Sequence, residues 1–239
     1  MSTIIYGKNA IANSIESGHV ESLLISSRLK DDKFTKKLNL YGVKYKFVND
    51  SELARISKTS SHQGFVAFVE DYKTVSLNDL IEKGKNQKYP LIVMLDGIED
   101  PHNLGAILRS VDAFGCTGVV MKSHGEVPLN GTVAKVSTGA IDYVDVAVVT
   151  NLSSAIDTLK KNGYWVVSSD GESNTYYDEI DYKCPICLVV GSEGFGISRL
   201  VLKNSDFVVK IPMYGHVNSL NASVATSIFL GMIDHNRRH

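Results

Sequence analysis

The chain has 239 residues, of which 44% are hydrophobic and 21% charged, so it is long enough to bury a full core in one large domain or two smaller ones. Its net charge of −1 excludes a protein that is basic throughout, and its three cysteines exclude a disulfide framework. The opening residues lack an apolar signal segment, and no later stretch approaches the roughly 20 apolar residues of a membrane span. We therefore expect a cytoplasmic protein.

The first seventy residues alternate between helical and strand patterns. Helices are predicted at 7–18, 31–42 and 51–58, and strands at 20–26, 43–48 and 64–70. Gly18 and Gly42 are predicted to close the first two helices. Short helices between β-branched runs predict a compact α/β domain over residues 1–70. The polar segment 71–90 is interpreted as a linker that carries one short helix.

A local cluster of positive charge lies within this first domain. Residues 28–46 contain seven lysines and arginines but only two aspartates. Lys33, Lys36 and Lys37 share one face of the predicted helix because they are three and four residues apart. The cluster is typical of a surface that contacts nucleic-acid phosphates, and a solvated lysine face is the alternative.

From residue 91 onward the predicted strands are longer and more apolar. They are LIVML (91–95), GVVMK (118–122), VAVV (146–149), YWVV (164–167), CLVV (187–190) and FVVKI (207–211). Continuous apolar runs predict strands that are covered on both faces, and hence a mainly parallel sheet in an α/β domain. Ligands of such sheets bind beyond the carboxyl ends of the strands. The loops after Leu95, Val190 and Ile211 are therefore the candidates for a functional site.

The first of these loops leads into a helix with an unusual face. We predict this helix at 103–114, with Asn103 as its N-cap and Gly115 just beyond its end. One side of the helix carries three small residues: Gly105, Ala106 and Ala113. Arg109 lies among them, which indicates that a ligand or a second subunit approaches beside its guanidinium. A surface ion pair between Arg109 and Asp112 is the alternative.

The second loop, GSEGFGIS (191–198), is rich in glycine. Its glycines do not follow the G-x-G-x-x-G order of a dinucleotide site, and Glu193 would repel a pyrophosphate. A nicotinamide-dependent oxidoreductase is therefore disfavoured, whereas a cationic ligand or an arginine partner is compatible with Glu193. A plain glycine-rich turn is the alternative.

The third loop precedes an apolar helix in the segment 212–232, for which Asn218 or Ser219 is a candidate N-cap. Elsewhere, Cys184 and Cys187 form a C-x-x-C pair, but it leads into a strand and not into the helix that a redox thiol requires. The sequence has no second pair with metal-ligand spacing. We therefore predict no metal site.

Taken together, the three loops resemble the signature motifs of the SpoU (TrmH-like) family of RNA ribose 2′-O-methyltransferases. The matching residues are Asn103 with Arg109, Gly191-Ser192-Glu193-Gly194, and Ile211-Pro212-Met213 followed by Ser219-Leu220-Asn221. The resemblance covers residues 91–239. Residues 1–70, with YGKNAI near the start and HQGFVA near the end, resemble the ribosomal-protein-L30-like RNA-binding domain that precedes this catalytic domain. Within the family, the chain resembles the bacterial large-subunit rRNA guanosine-2′-O-methyltransferases.

The resemblance implies a trefoil-knotted, mainly parallel α/β sheet of SPOUT type, although true knots are rare in proteins. It implies S-adenosylmethionine as the methyl donor, RNA as the substrate and a homodimer as the assembly. It assigns the donor to Gly191, Ile211, Met213 and Leu220, and the target ribose to Arg109, Asn103, Glu193, Ser219 and Asn221. The basic face of Lys33, Lys36 and Lys37 is then an RNA-binding surface.

Two questions stay open at this point. The family's usual proposal makes the arginine the general base, but a guanidinium is not expected to lose its proton in a protein. We therefore expect Arg109 to stabilise the developing alkoxide, while the proton leaves through phosphate, water or Glu193. The substrate is also open, because a tRNA ribose methyltransferase and a non-catalytic RNA-binding protein of the same fold are alternatives.

Overall fold

The computed structural model describes residues 2–16, 18–29, 32–70, 72–217 and 219–239. The chain divides into two compact units. The first comprises Met1–Tyr72 and Leu129–Val136, and the second comprises Lys73–Pro128 and Ser137–His239. In the described ranges, no helix is long and apolar enough to cross a membrane.

The first unit is a small α/β sandwich. Its strands are β1 (Ser2–Tyr6), β2 (Val20–Ser26), β3 (Lys44–Val48) and β4 (Phe65–Glu70), and its helices are α1 (Lys8–Glu16), α2 (Asp32–Leu40) and α3 (Asp50–Ser57). The sheet order is β1-β4-β2-β3, in which β4 runs antiparallel to both neighbours and β2 runs parallel to β3. Gly18 and Gly42 adopt positive φ angles of 76° and 66° just past α1 and α2, as predicted. The sequence analysis missed β1.

The second unit contains the longer apolar strands. They are β5 (Leu91–Asp96), β6 (Gly118–Lys122), β7 (Val146–Val149), β8 (Trp165–Ser169), β9 (Ile186–Gly191) and β10 (Phe207–Val209). The sheet order is β10-β8-β9-β5-β6-β7, and every pairing is parallel. All six residues of β5 are buried, because helices cover both faces of the sheet. The prediction of a mainly parallel α/β fold is confirmed.

Helices surround this sheet. They are α4 (Leu77–Gly84), α5 (Pro101–Ala113), α6 (Gly131–Ser137), α7 (Leu152–Lys161), α8 (Arg199–Asn204) and α9 (Ala222–Arg238), with a short 3₁₀ helix at Ala140–Asp142. Most of α6 belongs to the first unit by its contacts. Helix α4 is the short helix predicted within the segment 71–90. Its Leu80 and Ile81 are buried in the core of the second unit, so this part of the segment is an integral part of the fold.

Candidate functional site

The carboxyl ends of β5 and β9 and the segment after β10 bring three polar side chains into contact. Asn103 Nδ2 donates a hydrogen bond to Glu193 Oε1 at 2.8 Å. Asn221 Nδ2 donates to Asn103 Oδ1 at 2.8 Å and also to Glu193 Oε1. The second carboxylate oxygen, Glu193 Oε2, has no partner among the described residues. We call these three residues the amide–carboxylate cluster.

Asn103 joins this cluster because it does not cap its helix. The predicted N-cap is wrong: Asp100 caps α5 and accepts the His102 N–H at 2.9 Å. Both residue types are good caps, and the N-cap of α5 lies three residues earlier than predicted. Asn103 consequently lies in the first turn, where its side-chain amide is free to bind Glu193 and Asn221.

Asn221 has two functions at the start of α9. Its Oδ1 accepts the N–H groups of Ser223 and Val224 at 3.0 and 3.2 Å, so Asn221 is the N-cap of this helix. The prediction of Ser219 as the cap is wrong, and Asn218 lies outside the described residues. Capping fixes the amide plane of Asn221, which directs its Nδ2 towards the cluster.

The glycine-rich loop is anchored to β5 through Asp96. The Asp96 main-chain carbonyl accepts the Ser192 N–H at 3.1 Å, and its Oδ2 accepts the Ser198 N–H at 2.8 Å. Lys122 Nζ lies 2.8 Å from Asp96 Oδ1. Burial alone would raise the pKa of Asp96, but the hydrogen bonds from Lys122 and Ser198 outweigh it and hold this pKa below its ordinary value. A charged Asp96 thus fixes both ends of the loop.

The loop itself is a tight turn. Ser192 and Gly196 exchange two main-chain hydrogen bonds of 3.2 and 2.9 Å, and Gly196 has a φ of +65°. A Cβ atom at Gly191 would overlap the main chain of Gly196. Glycine is therefore required at both positions to close the turn that carries Glu193.

A cavity of about 170 Å³ lies beside the cluster. Its walls contain all four residues assigned to the donor and two assigned to the ribose: Gly191, Ile211, Met213, Leu220, Glu193 and Ser219. The walls also contain Ser169, Asp170 and Gly171, which the sequence analysis missed. Ser169 ends β8 and the other two residues follow it, so the strand-end rule that selected the other loops also applies to this parallel strand.

The cavity walls fit S-adenosylmethionine. Ile211, Met213, Leu220 and Phe229 provide apolar surface, as an adenine ring requires. The main-chain N–H groups of Ile211, Met213 and Leu220 have no hydrogen-bond partner among the described residues, so they are free to bind a ligand. The carboxylate of Glu193 in the wall is compatible with a positively charged ligand.

Arg109 lies in a separate groove between α5 and α9. The groove shares no residue with the cavity and is lined by small and apolar side chains, among them Ala106, Ala113 and Ser223. The guanidinium is exposed and has no hydrogen-bond or ion-pair partner in the described part of the chain, so the alternative of an Arg109–Asp112 pair is not observed.

The groove nevertheless adjoins the amide–carboxylate cluster. Ser223, in the groove wall, donates from Oγ to Asn221 Oδ1 at 2.6 Å. Part of the small-residue face of α5 is covered by α9 of the same chain, since Ser110 Oγ lies 2.8 Å from Ser227 Oγ. The remaining part, around Arg109, is open.

The predicted RNA-binding lysines have different environments. Lys37 Nζ lies 2.6 Å from Glu16 Oε1, and the hydrogen bond from Lys37 helps to lower the pKa of Glu16. Lys36 is exposed and has no partner among the described residues. The side chain of Lys33 lies outside the described part of the structure.

The C-x-x-C pair does not form a reactive dithiol site. Burial raises the pKa of the Cys187 thiol, which lies inside β9, and it also raises the pKa of Cys184. In the ranges that the structure describes, no three histidine, cysteine, aspartate or glutamate side chains come together as metal ligands.

The fold is shared with solved SpoU methyltransferases. The AdoMet complex of AviRb from Streptomyces viridochromogenes superposes with a TM-score of 0.66 at 23% identity, covering 99% of this chain and 91% of that chain. A TrmH/SpoU tRNA modifying enzyme of A. aeolicus gives 0.59 at 31% identity, covering 68% of this chain and 82% of that one. The fold and the glycine-loop cavity thus define a methyltransferase of the SPOUT class.

Within this class the chain belongs to the SpoU rRNA methylase family, whose model matches residues 90–231. A second model, described as RNA 2′-O ribose methyltransferase substrate binding, matches residues 4–75. The chain is 43% identical over 231 residues to a Staphylococcus saprophyticus protein assigned to the TrmH family of tRNA/rRNA methyltransferases, covering 95% of this chain and 93% of that protein. The protein is an RNA methyltransferase, and its family uses S-adenosylmethionine.

Proposed function

We propose that the protein methylates a ribose 2′-hydroxyl of a guanosine in large-subunit rRNA. The observation that carries the proposal is the amide–carboxylate cluster, which lies at the wall of a cavity lined by Gly191, Ile211, Met213 and Leu220. S-adenosylmethionine, when bound, supplies a methyl group on a positively charged sulfur. The residues of the chain hold the donor, orient the ribose and stabilise the developing oxyanion.

The donor is held mainly by main-chain groups and apolar contacts. Among the described residues, Ile211, Met213 and Leu220 offer unpaired N–H groups, and Lys210 alone brings a cationic group to the cavity wall. Gly191 allows the glycine-rich loop to close against the cavity. Ser219 has no hydrogen-bond partner among the described residues and lines the same wall, where its hydroxyl is available to the ribose.

The cluster orients the target hydroxyl. Two amide groups fix Glu193 Oε1, which leaves Oε2 to accept a hydrogen bond from the 2′-hydroxyl. Correct positioning of that hydroxyl supplies a large part of the acceleration of a displacement reaction. We assign Glu193 as the proton acceptor, because a guanidinium is a poor general base.

Arg109 stabilises the negative charge that develops on the 2′-oxygen. In one chain its groove is separate from the cavity, and the surface around Arg109 is open and lined by small side chains. We propose that the protein is a homodimer in which this surface contacts the second copy, so that Arg109 completes a site that one chain leaves incomplete.

The first unit serves RNA binding. We assign residues 1–70 to the substrate-binding domain and residues 91–239 to the catalytic domain, although residues 129–136 pack with the first unit and helix α4 of the segment 71–90 packs with the second. We place the protein in the cytoplasm, where it modifies RNA. We expect Lys36 to bind phosphate more strongly than Lys37, because Lys37 is paired with Glu16.

We further propose that the second unit is knotted as a trefoil. The segment after β10 hydrogen-bonds to the loop between β8 and β9, with Lys210 N–H donating to Thr175 and Tyr177 N–H donating to Lys210, each at 2.9 Å. The following helix α9 returns to the same loop, where Arg237 donates to the carbonyl of Tyr182. Pulling the unfolded chain from both ends in an optical trap should give a contour length shortened by a tight knot. A full contour length would contradict it.

The function is tested with methyl-labelled donor and with total RNA from cells that lack the gene. We expect label in large-subunit rRNA, at one guanosine whose 3′ phosphodiester resists alkaline hydrolysis because its 2′-oxygen is blocked. Label on a base, or no transfer, would overturn the proposal. Label in tRNA would favour the second candidate, a tRNA methyltransferase, which the likeness to the A. aeolicus tRNA modifying enzyme supports.

A further inference from the structure

A second cavity, of about 200 Å³, opens next to the donor cavity. It lies between the loop that precedes α5 and the glycine-rich turn, and Glu99 and Phe195 form part of its wall. Ser192 and Glu193 belong to the walls of both cavities. A group bound in the second cavity is therefore adjacent to the amide–carboxylate cluster.

Phe195 is presented to solvent by a fixed backbone. Its side chain is 98% exposed, although it sits on a turn that the Ser192–Gly196 hydrogen bonds close. The Phe195 N–H also donates to Ser192 Oγ at 3.3 Å. Covering an aromatic ring that is exposed to water with a ligand is favourable, because apolar surface is removed from water. Proteins that bind unpaired RNA stack splayed bases on rings of this kind.

Glu99 is a carboxylate of this cavity that has neither oxygen paired among the described residues. Asp100 caps α5, and Glu193 Oε1 accepts hydrogen bonds from two asparagines. Glu99 is exposed and has no hydrogen-bond or ion-pair partner in the described ranges. An ionised carboxylate accepts two hydrogen bonds side by side. Guanine alone among the four RNA bases presents two adjacent donors, N1–H and the exocyclic amino group, on its Watson–Crick edge.

We propose that the second cavity binds the base of the target nucleotide, a guanine that stacks on Phe195 and donates to Glu99. This inference rests on the proposed ribose methylation, because the ribose of a nucleotide bound there lies beside Glu193. It adds two specificity-determining residues outside the three motifs, and it explains why an apolar ring stands exposed at the site.

The base preference is tested by direct binding. The full chain, saturated with S-adenosylhomocysteine, is titrated into 5′-fluorescein-labelled UUXUU pentaribonucleotides at low salt, with X as guanosine, inosine or adenosine, and anisotropy is measured. We expect guanosine to bind more tightly than inosine, which lacks the exocyclic amine, and adenosine to bind most weakly. Equal affinities for the three pentamers would overturn the proposal.

Two variants separate stacking from edge recognition. Phe195→Ala should weaken all three pentamers by about fivefold to 150-fold, the range for loss of one base–aromatic stack, and Phe195→Tyr should restore binding. Glu99→Gln should remove a guanosine preference of about fivefold to 150-fold and leave adenosine binding unchanged. Leu200→Ala and Asp157→Asn, at exposed positions outside both cavities, are the matched controls.

Three outcomes separate the proposals. If the wild-type chain methylates no RNA but ranks the pentamers as expected, the base pocket is supported and the proposed function fails. If it methylates RNA and Phe195→Ala and Glu99→Gln behave like their controls, the base pocket is wrong. If Phe195→Ala changes the sedimentation mass and not the pentamer affinities, the ring belongs to a contact between copies, which also overturns the proposal.

Discussion

We propose that Arg109 stabilises the transition state and takes no part in donor binding. Its guanidinium lies in a groove that shares no residue with the donor cavity, and it has no partner among the described residues. A charged group in this position gains little from the bound donor and most from an oxygen that becomes negative during the reaction.

Arg109→Ala should therefore leave S-adenosylmethionine affinity nearly intact and lower methyl transfer by roughly 10²–10³, the loss seen when one preorganised oxyanion donor is removed. Arg109→Lys should rescue little, because a flexible ammonium does not reproduce the planar guanidinium. Calorimetry measures the first quantity and single-turnover label transfer the second. Loss of donor binding together with activity would contradict this role. Asp112→Asn is the control on the same helix.

Glu126 is a carboxylic acid whose burial disfavours its ionised form. It accepts the Gly97 and Lys122 N–H groups at 2.8 and 2.9 Å, and thereby joins the ends of β5 and β6 beneath the site. Burial raises the pKa of Glu126 from its ordinary 4.5 to about 7, even though both hydrogen bonds act in the opposite direction. Between these pH values the folded chain binds more protons than the unfolded chain.

The contribution of Glu126 to stability should therefore fall as pH rises from about 4.5 to about 7. Urea unfolding at pH 5, 6, 7 and 8 measures this effect for the wild type and for Glu126→Gln, which does not titrate. We expect the stability of the wild type relative to the variant to decrease with pH across the series. A difference that is constant, or that increases with pH, would refute the raised pKa.

At the scale of elements, side-chain hydrogen bonds hold both ends of the C-terminal helix α9 in place. Asn221 caps its start, and Arg237 near its end donates to the main-chain carbonyls of Tyr89, Tyr182 and Cys184 at 2.8, 2.9 and 3.1 Å. These carbonyls lie in two different loops of the second unit. One half-buried guanidinium thus links α9 to the segments before β5 and before β9.

Arg237→Lys should destabilise the protein by about 2–4 kcal/mol, because a single ammonium nitrogen does not reproduce the planar fork of three nitrogens that reaches these carbonyls, and it leaves acceptors unpaired. The free energy of unfolding from urea titration measures the effect. Arg238→Lys is the matched control: Arg238 is exposed and pairs with Asp234 one turn away, so the change should be below about 0.5 kcal/mol. Equal effects of the two substitutions would show that the carbonyl contacts contribute nothing.

Helix α2 carries the basic face. Lys37 of this face is paired with Glu16, so it is less available to RNA phosphates than Lys36. Lys36→Glu should weaken RNA binding and reduce the slope of log affinity against log salt by about 1, because one phosphate contact is lost. Lys37→Glu should have a smaller effect on RNA affinity. Filter binding over a salt series measures both, and donor affinity should be unchanged in each. Unchanged RNA affinity in Lys36→Glu would favour a solvated lysine face.

At the scale of the whole molecule, the open surface around Arg109 and the exposed apolar side chains Phe114 and Val224 in the same groove lack cover within one chain. We expect sedimentation equilibrium at micromolar concentration to give twice the chain mass of 26.2 kDa. Val224→Glu, which places a charge in the groove, should shift the protein towards the monomer and lower methyl transfer with it. A monomeric wild type would exclude the homodimer.

The sequence by itself determined the elements whose signals are local. Continuous apolar runs predicted the parallel strands of the second unit, and Gly18 and Gly42 predicted two helix ends, because burial on both faces and positive φ angles restrict which residues occur there. The resemblance to three family motifs selected the loops whose Asn103, Glu193 and Asn221 the structure brings into contact.

Only the tertiary structure decided features that depend on residues far apart in the chain. Asp100 and Asn103 are equally suitable caps by residue type, but Asp100 is the cap that forms. Asn103 instead contacts Glu193 and Asn221, which lie 90 and 118 residues further along the chain. Residues 129–136 belong to the first unit for the same reason. Propensity acts within a few residues, whereas the pairing of side chains and the exposure of Phe195 follow from how distant segments pack.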